Sequence, residues 1–183
     1  MIIIPETFEI CSYLGISKED AKKLTEIEIH DLRDISEFDF TALYGSTKLD
    51  YVDICDSGIT DVTFLQNFPN LQWLYLSGKE INDISCIQNL DKIMYLNISN
   101  TSISDISFIC NFTNLKFLNI SETNIDDISS IANLQNLINI DATYTKIKDV
   151  SALTGLQNLR YLDIRCTSVM DISGFNNSVT IHL

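Results

Sequence analysis

The chain has 183 residues and a mass of 20.7 kDa, enough for one domain and short for two. Its 45% hydrophobic content excludes a disordered, highly charged chain, and two prolines with six glycines exclude collagen-like or linker-rich sequence. A formal net charge of −13 argues against nucleic acid as a partner, because duplex binding needs clustered Lys and Arg to displace counterions; a protein partner with a basic surface is expected instead.

The elements begin with "IPETFEICSYLG", which predicts a helix with Pro5 in its first turn and Gly15 just past its end. Phe8, Ile10, Cys11 and Leu14 are placed to face the first repeat. The opening "MIIIPETFEI" has no basic n-region and too short an apolar run, so it does not read as a signal peptide. "SKEDAKKL" predicts a second short helical turn starting at Ser17. "LTEIEI" then predicts a strand through Ile27 and Ile29, followed by an irregular rung over 30–48.

From Leu49 the chain repeats. Six units of 22 residues start at Leu49, Leu71, Ile93, Leu115, Leu137 and Leu159. Within each, positions 1, 4, 6 and 11 are apolar; the unit from Leu115, for instance, carries Leu118, Ile120 and Ile125. Alternation over positions 3–7 predicts a short strand with one face in the core. One such unit cannot bury its apolar edge alone, whereas stacked units share a core and a parallel sheet. Position 13 is Asp in every unit (Asp61, Asp83, Asp105, Asp127, Asp149, Asp171), followed by a hydrophobic residue and Ser or Thr. That pattern predicts side-chain caps on backbone N–H groups rather than a cation-binding ladder, because one carboxylate per rung supplies too few oxygens for Ca²⁺. The last element, "NNSVTIHL", predicts a shortened strand through Val179 and Ile181.

These residues resemble the bacterial internalin-type leucine-rich repeat, with the pattern LxxLxIsxtxIxDIsxIxNLxn, over residues 24–183. The resemblance implies an α/β leucine-rich-repeat solenoid: a curved parallel sheet on the concave side and short helical or extended convex segments. It divides the chain into a helical N-terminal cap (1–23) and the solenoid (24–183), with an irregular first rung (24–48), regular repeats (49–180) and a shortened last strand (178–183). Position 9 departs from many such repeats: Ser57, Lys79, Thr101, Thr123, Thr145 and Thr167 stand where Asn is common.

Positions 3, 5 and 7 point away from the core and align in columns about 4.8 Å apart. Column 3 reads Tyr51, Trp73, Tyr95, Phe117, Asn139, Tyr161, and column 5 reads Asp53, Tyr75, Asn97, Asn119, Asp141, Asp163. Column 7 reads Cys55, Ser77, Ser99, Ser121, Thr143, Arg165. Contiguous exposed aromatics mark interaction surfaces, and Tyr and Trp dominate binding hot spots. The competing reading is that such rings only stabilise neighbouring strands. Glu28 and Asp53 at one end, with Asp141 and Asp163 at the other, add an acidic rim. The expected binding residues are therefore Tyr51, Asp53, Trp73, Tyr75, Tyr95, Asn97, Phe117, Asn119, Asp141, Tyr161, Asp163 and Arg165, with Arg165 also read as a local ion pair to Asp163.

No enzyme is expected. His30 and His182 fall in the first and last rungs, and Cys55 and Cys166 lie on the concave side with no His in reach. No GxSxG, Walker-type or HExxH motif occurs. Asp141 and Asp163 are spaced like a glycosidase pair, but nothing raises either pKa. No cofactor or metal is expected. The five cysteines are odd in number and lack metal-ligand spacing, so they read as free thiols of a reducing cytoplasm. No apolar run approaches the ~18 residues of a membrane span. The expectation is a non-enzymatic, monomeric, cytoplasmic protein-binding module of inhibitory, immunity-type or regulatory role. A secreted effector or internalin-like adhesion protein acting on a host protein is the alternative, and carbohydrate binding a weaker one.

Overall fold

A computed structural model describes residues 8–30 and 38–183. Its strands are β1 (Phe8–Glu9), β2 (Glu26–Glu28), β3 (Phe38–Asp39), β4 (Tyr51–Asp53), β5 (Trp73–Tyr75), β6 (Tyr95–Asn97), β7 (Phe117–Asn119), β8 (Asn139–Asp141), β9 (Tyr161–Asp163) and β10 (Thr180–His182). β2 and β4 to β10 form one open, eight-stranded parallel sheet in the order β2-β4-β5-β6-β7-β8-β9-β10, while β1 and β3 pair separately. Each strand sits in register with the equivalent residues one repeat away, Trp73 against Tyr95 and Tyr95 against Phe117.

The repeat's spelling accounts for its shape. In the unit from Leu115, seven apolar side chains are buried: Leu115, Leu118, Ile120, Ile125, Ile128, Ile131 and Leu134. Each such burial stabilises by about 1.5–3 kcal/mol relative to exposure, so the core is built repeat by repeat. On the convex side, 3₁₀ turns at Thr63–Asn67 and Ser107–Asn111 run five residues, whereas those at Ser85–Ile87, Ser129–Ile131 and Ser151–Leu153 run three. The two longer turns carry Phe64 with Phe68 and Phe108 with Phe112. The unit between them has Cys86 and Leu90 at the equivalent positions, so large and small side chains alternate over these three units.

The position-13 aspartates cap these turns. Asp105 Oδ1 accepts from the Ser107 amide at 2.7 Å, and Asp61, Asp83, Asp127, Asp149 and Asp171 do the same two residues on at 2.8 Å. The Ser amide, followed by the Ser side chain, holds the Asp83, Asp105, Asp127, Asp149 and Asp171 carboxyls below their ordinary pKa. At position 9, Thr101, Thr123, Thr145 and Thr167 donate from Oγ1 to the carbonyl three residues back, at 2.6–2.8 Å. An asparagine ladder exists too, but at position 22: Asn70, Asn114, Asn136 and Asn158 each donate to a carbonyl of the preceding unit at 2.7–2.9 Å.

Three expectations need correction. The first helix starts at Ile10, not near Pro5, and runs to Leu14; Glu9 is extended because the Phe8–Glu9 backbone pairs with Phe38–Asp39. Pro5 and the side chain of Phe8 lie outside the described residues, as do 31–37 of the irregular rung. Gly15 does end this helix in the left-handed region at φ 66°, and Ser17 Oγ caps Lys18–Ala21 by accepting from the Asp20 amide. Second, the strands span positions 3–5 only. The chain turns at position 8, where Asp56, Asn100, Glu122, Tyr144 and Cys166 all take φ between 52° and 59°. Third, Cys166 therefore sits on that turn, exposed, and not on the strand face.

Candidate functional site

The strand face carries a continuous stack of rings. Tyr51 meets Tyr75 at 5.5 Å between centroids, Tyr75 meets Tyr95 at 4.6 Å, and Tyr95 meets Phe117 at 5.8 Å. The stack crosses between columns, because diagonal neighbours across a strand pair are within reach of aromatic side chains. Tyr75 is its centre, rather than a neighbour of a straight Trp73–Tyr95–Phe117 stripe. Mutual packing leaves most of these rings half-buried; Phe117, at the end of the stack, is 39% exposed. Burial, then the Tyr95 ring, pushes the Tyr75 phenol up to about 12, so it stays a neutral donor at physiological pH. Burial, then Asp53, raises Tyr51 as well. The face offers flat apolar area edged by hydroxyls.

Column 5 has a structural duty that the sequence reading did not see. Asp53, Asn97, Asn119, Asp141 and Asp163 each accept, through Oδ1, from the backbone N–H two residues on, at 2.9–3.2 Å. These bonds end the strand and start the turn. In the regular repeats Tyr75 alone departs from Asp or Asn at this position, and only Tyr75 is released from the turn to contribute a ring.

The acidic rim is uneven. Asp163 is 2% exposed, because Arg165 folds over it: Arg165 Nη2 lies 2.7 Å from Oδ2 and Nε 2.9 Å from Oδ1. The ion pair read from the sequence is present, and it removes Asp163 from the exposed rim. The guanidinium's hydrogen bonds hold its carboxyl below the ordinary range, so it cannot serve as the proton donor of a glycosidase pair with Asp141. Asp53 lies 4.0 Å from His30 Nδ1, which is itself 3.2 Å from the Cys55 carbonyl, so, against the register reading, a His does reach Cys55, because the irregular rung brings His30 beside the first regular turn. His182, in β10 at the other end of the sheet, packs its ring on Tyr161 at 5.0 Å. The five cysteines are unpaired, and burial pushes the half-buried Cys55 and Cys86 thiols up to about 12 and about 11, away from thiolate chemistry.

One residue of the surface was not foreseen. Tyr144 is 63% exposed and sits at φ 55° on the position-8 turn after β8, a conformation uncommon for a bulky residue. The signal was legible: position 8 otherwise holds Asp, Gly, Asn, Glu and Cys.

The family described as "Leucine Rich repeats (2 copies)" matches residues 95–133. The fold is a leucine-rich-repeat solenoid. Internalin C2 of Listeria monocytogenes superposes on the solenoid with a TM-score of 0.78 at 20% identity, covering 94% of this chain and 88% of that one. A second Listeria monocytogenes internalin, InlF, gives 0.68 at 25% identity, covering 90% and 56% respectively. A leucine-rich-repeat protein of Leptospira interrogans gives 0.67 at 15% identity, covering 92% and 51%. The solenoid thus spans about half the length of the latter two. No curated protein matches the sequence. Among the described residues no helix is long and apolar enough to cross a membrane, and no cluster of three metal-ligating side chains occurs.

Proposed function

We propose that the solenoid is a non-enzymatic protein-binding module that holds one protein partner on its concave sheet. The observation that supports this best is the Tyr51–Tyr75–Tyr95–Phe117 stack with Trp73 beside it. Rings that cross four rungs of a solvent-facing sheet supply rigid contact area at low entropic cost. Tyr75 strengthens the point, since it takes a place where the turn geometry otherwise uses Asp or Asn. Asp53 and Asp141 edge the stack and, with the net charge of −13, favour a partner with a basic surface. Tyr161, Asn97 and Asn119 complete the face, while Asp163 and Arg165 act together as one paired unit. Five unpaired cysteines spread over different rungs fit a reducing compartment, which favours an intracellular inhibitor or regulator over an adhesion role.

The test is affinity purification with the intact chain as bait, beside a Tyr75→Ala/Tyr95→Ala variant that remains folded by circular dichroism. A stoichiometric protein captured by wild type and lost with the variant is the expected result. Equal capture by both would move the binding face elsewhere.

A further inference from the structure

Column 3 is aromatic except at Asn139, and that gap is a notch. A cavity of about 330 Å³ opens there, walled by Tyr95, Phe117 and Tyr161 with Asn119, Asn139 and Asp141 as its polar lining. Phe117 stacks on Tyr95 and Tyr161 meets His182 at a tilt, and both rings border the gap. Two strand spacings put the Phe117 and Tyr161 backbones about 9.6 Å apart, room for one side chain between them, and a ring face attracts a cation within ~6 Å.

The carboxylate in the notch is free to meet a cation. Asp141 Oδ1 accepts from the Thr143 amide at 3.0 Å and from its hydroxyl at 2.9 Å, and among the described residues no Lys, Arg or His lies within ion-pair distance of its carboxylate. Arg165, on the next repeat, is committed to Asp163. The neighbouring acid is thereby neutralised, and the notch keeps one negative charge between two rings. Resting on the protein-binding reading above, the geometry points to this notch as a socket for one Arg or Lys side chain of the partner, its stem between Phe117 and Tyr161 and its charged head on Asp141. Arginine fits best, since its planar guanidinium both stacks on rings and bridges a carboxylate.

Neighbouring rungs supply clean variants. Asp141→Asn keeps the turn, because Asn97 and Asn119 make the same bond, and removes only the charge. Asn139→Phe fills the notch with the ring that Phe117 already carries one rung away. The experiment is selection of a random-sequence peptide library on the full-length chain, with counter-selection on Asn139→Phe. Peptides that survive should depend on one Arg or Lys: citrulline or norleucine in its place should weaken binding about tenfold or more, and Asp141→Asn should do the same. Peptides lost with Trp73→Ala but indifferent to Asp141→Asn and to the citrulline exchange would overturn the socket and leave the concave-face reading standing. Failure to find any peptide that distinguishes wild type from Asn139→Phe would also overturn the socket. Indifference of every selected peptide to Trp73→Ala and Tyr75→Ala would overturn the face itself. Binding of a neutral oligosaccharide at the notch, unchanged in Asp141→Asn, would assign the site to sugar.

Discussion

The rings of Tyr75 and Tyr95 stack at 4.6 Å with 24° between their planes, although one belongs to column 5 and the other to column 3. This diagonal contact joins a Tyr51–Tyr75 pair to a Tyr95–Phe117 pair and makes one surface of four rungs. Each ring pair adds about 0.5–1.5 kcal/mol beyond its area burial. Tyr75→Ala breaks two pairs, so it should lower the urea midpoint more than Phe117→Ala, which breaks one. Equal midpoints for the two variants would show that the stack adds nothing to stability.

The aspartate caps predict both a mutant effect and a pH effect. Asp127→Ala removes the acceptor for the Ser129 amide and should lower the urea midpoint, whereas Asp127→Asn keeps an acceptor and should lower it less. Asp83, Asp105, Asp127, Asp149 and Asp171 have folded pKa values below their unfolded ones. Their contribution is therefore present above the unfolded value of about 3.9 and disappears as pH falls through the lower folded values. Urea midpoints measured from neutral pH downward should decline in that acidic window. A midpoint flat through it, or an Asp127→Ala variant as stable as wild type, would remove the capping account.

The position-9 threonines predict a larger loss from a smaller change. Thr123 is 6% exposed, and its Oγ1 donates to the Ile120 carbonyl at 2.6 Å. Thr123→Val keeps the shape and leaves that carbonyl without the bond, at about 1–3 kcal/mol. Thr123→Ser restores the donor and should recover part of the loss. Chemical denaturation of the three proteins measures it; a valine variant as stable as wild type would contradict the bond's role.

Thiol reactivity follows burial. Cys110 and Cys166 are exposed, Cys11 is buried, and Cys55 and Cys86 are half-buried with raised pKa values. Ellman's reagent at mildly alkaline pH should titrate two thiols quickly in the native chain and all five after unfolding. A total of three or fewer in protein prepared without reductant would show disulfides and refute the free-thiol reading.

The 22-residue register, the caps and the core were legible because each is carried by a residue type with a single role: Leu118 and Ile120 have no place but the core, and Asp127 two residues before Ser129 has an amide to meet. The site was legible only as columns. Column counting treats rings as standing straight up, so it placed Trp73 in the stripe and Tyr75 beside it, while side-chain reach reverses the two. It also read Asp and Asn at position 5 only as a rim that meets a partner, when each also holds the turn after its strand. Asp163 looked like Asp141 on paper. Arg165, two residues on, makes the difference by covering one of them. The first helix was drawn too long because nothing local to Phe8–Glu9 announces that Phe38–Asp39 will pair with it.

The central claim is that the concave rings bind a partner, and Trp73 tests it most directly. Trp73 stands on β5 beside the stack without taking part in the Tyr51–Tyr75–Tyr95–Phe117 chain of contacts, so its removal leaves that stack in place. The measurement is a paired titration of wild type and Trp73→Ala: affinity for the captured partner and urea midpoint, with the core variant Leu74→Ala as the scale for lost stability. The account predicts an affinity loss of about 2 kcal/mol or more, roughly thirtyfold, with a midpoint drop well below the ~2–5 kcal/mol equivalent of the core variant. Unchanged affinity with a midpoint drop matching Leu74→Ala would contradict it and make the rings scaffold.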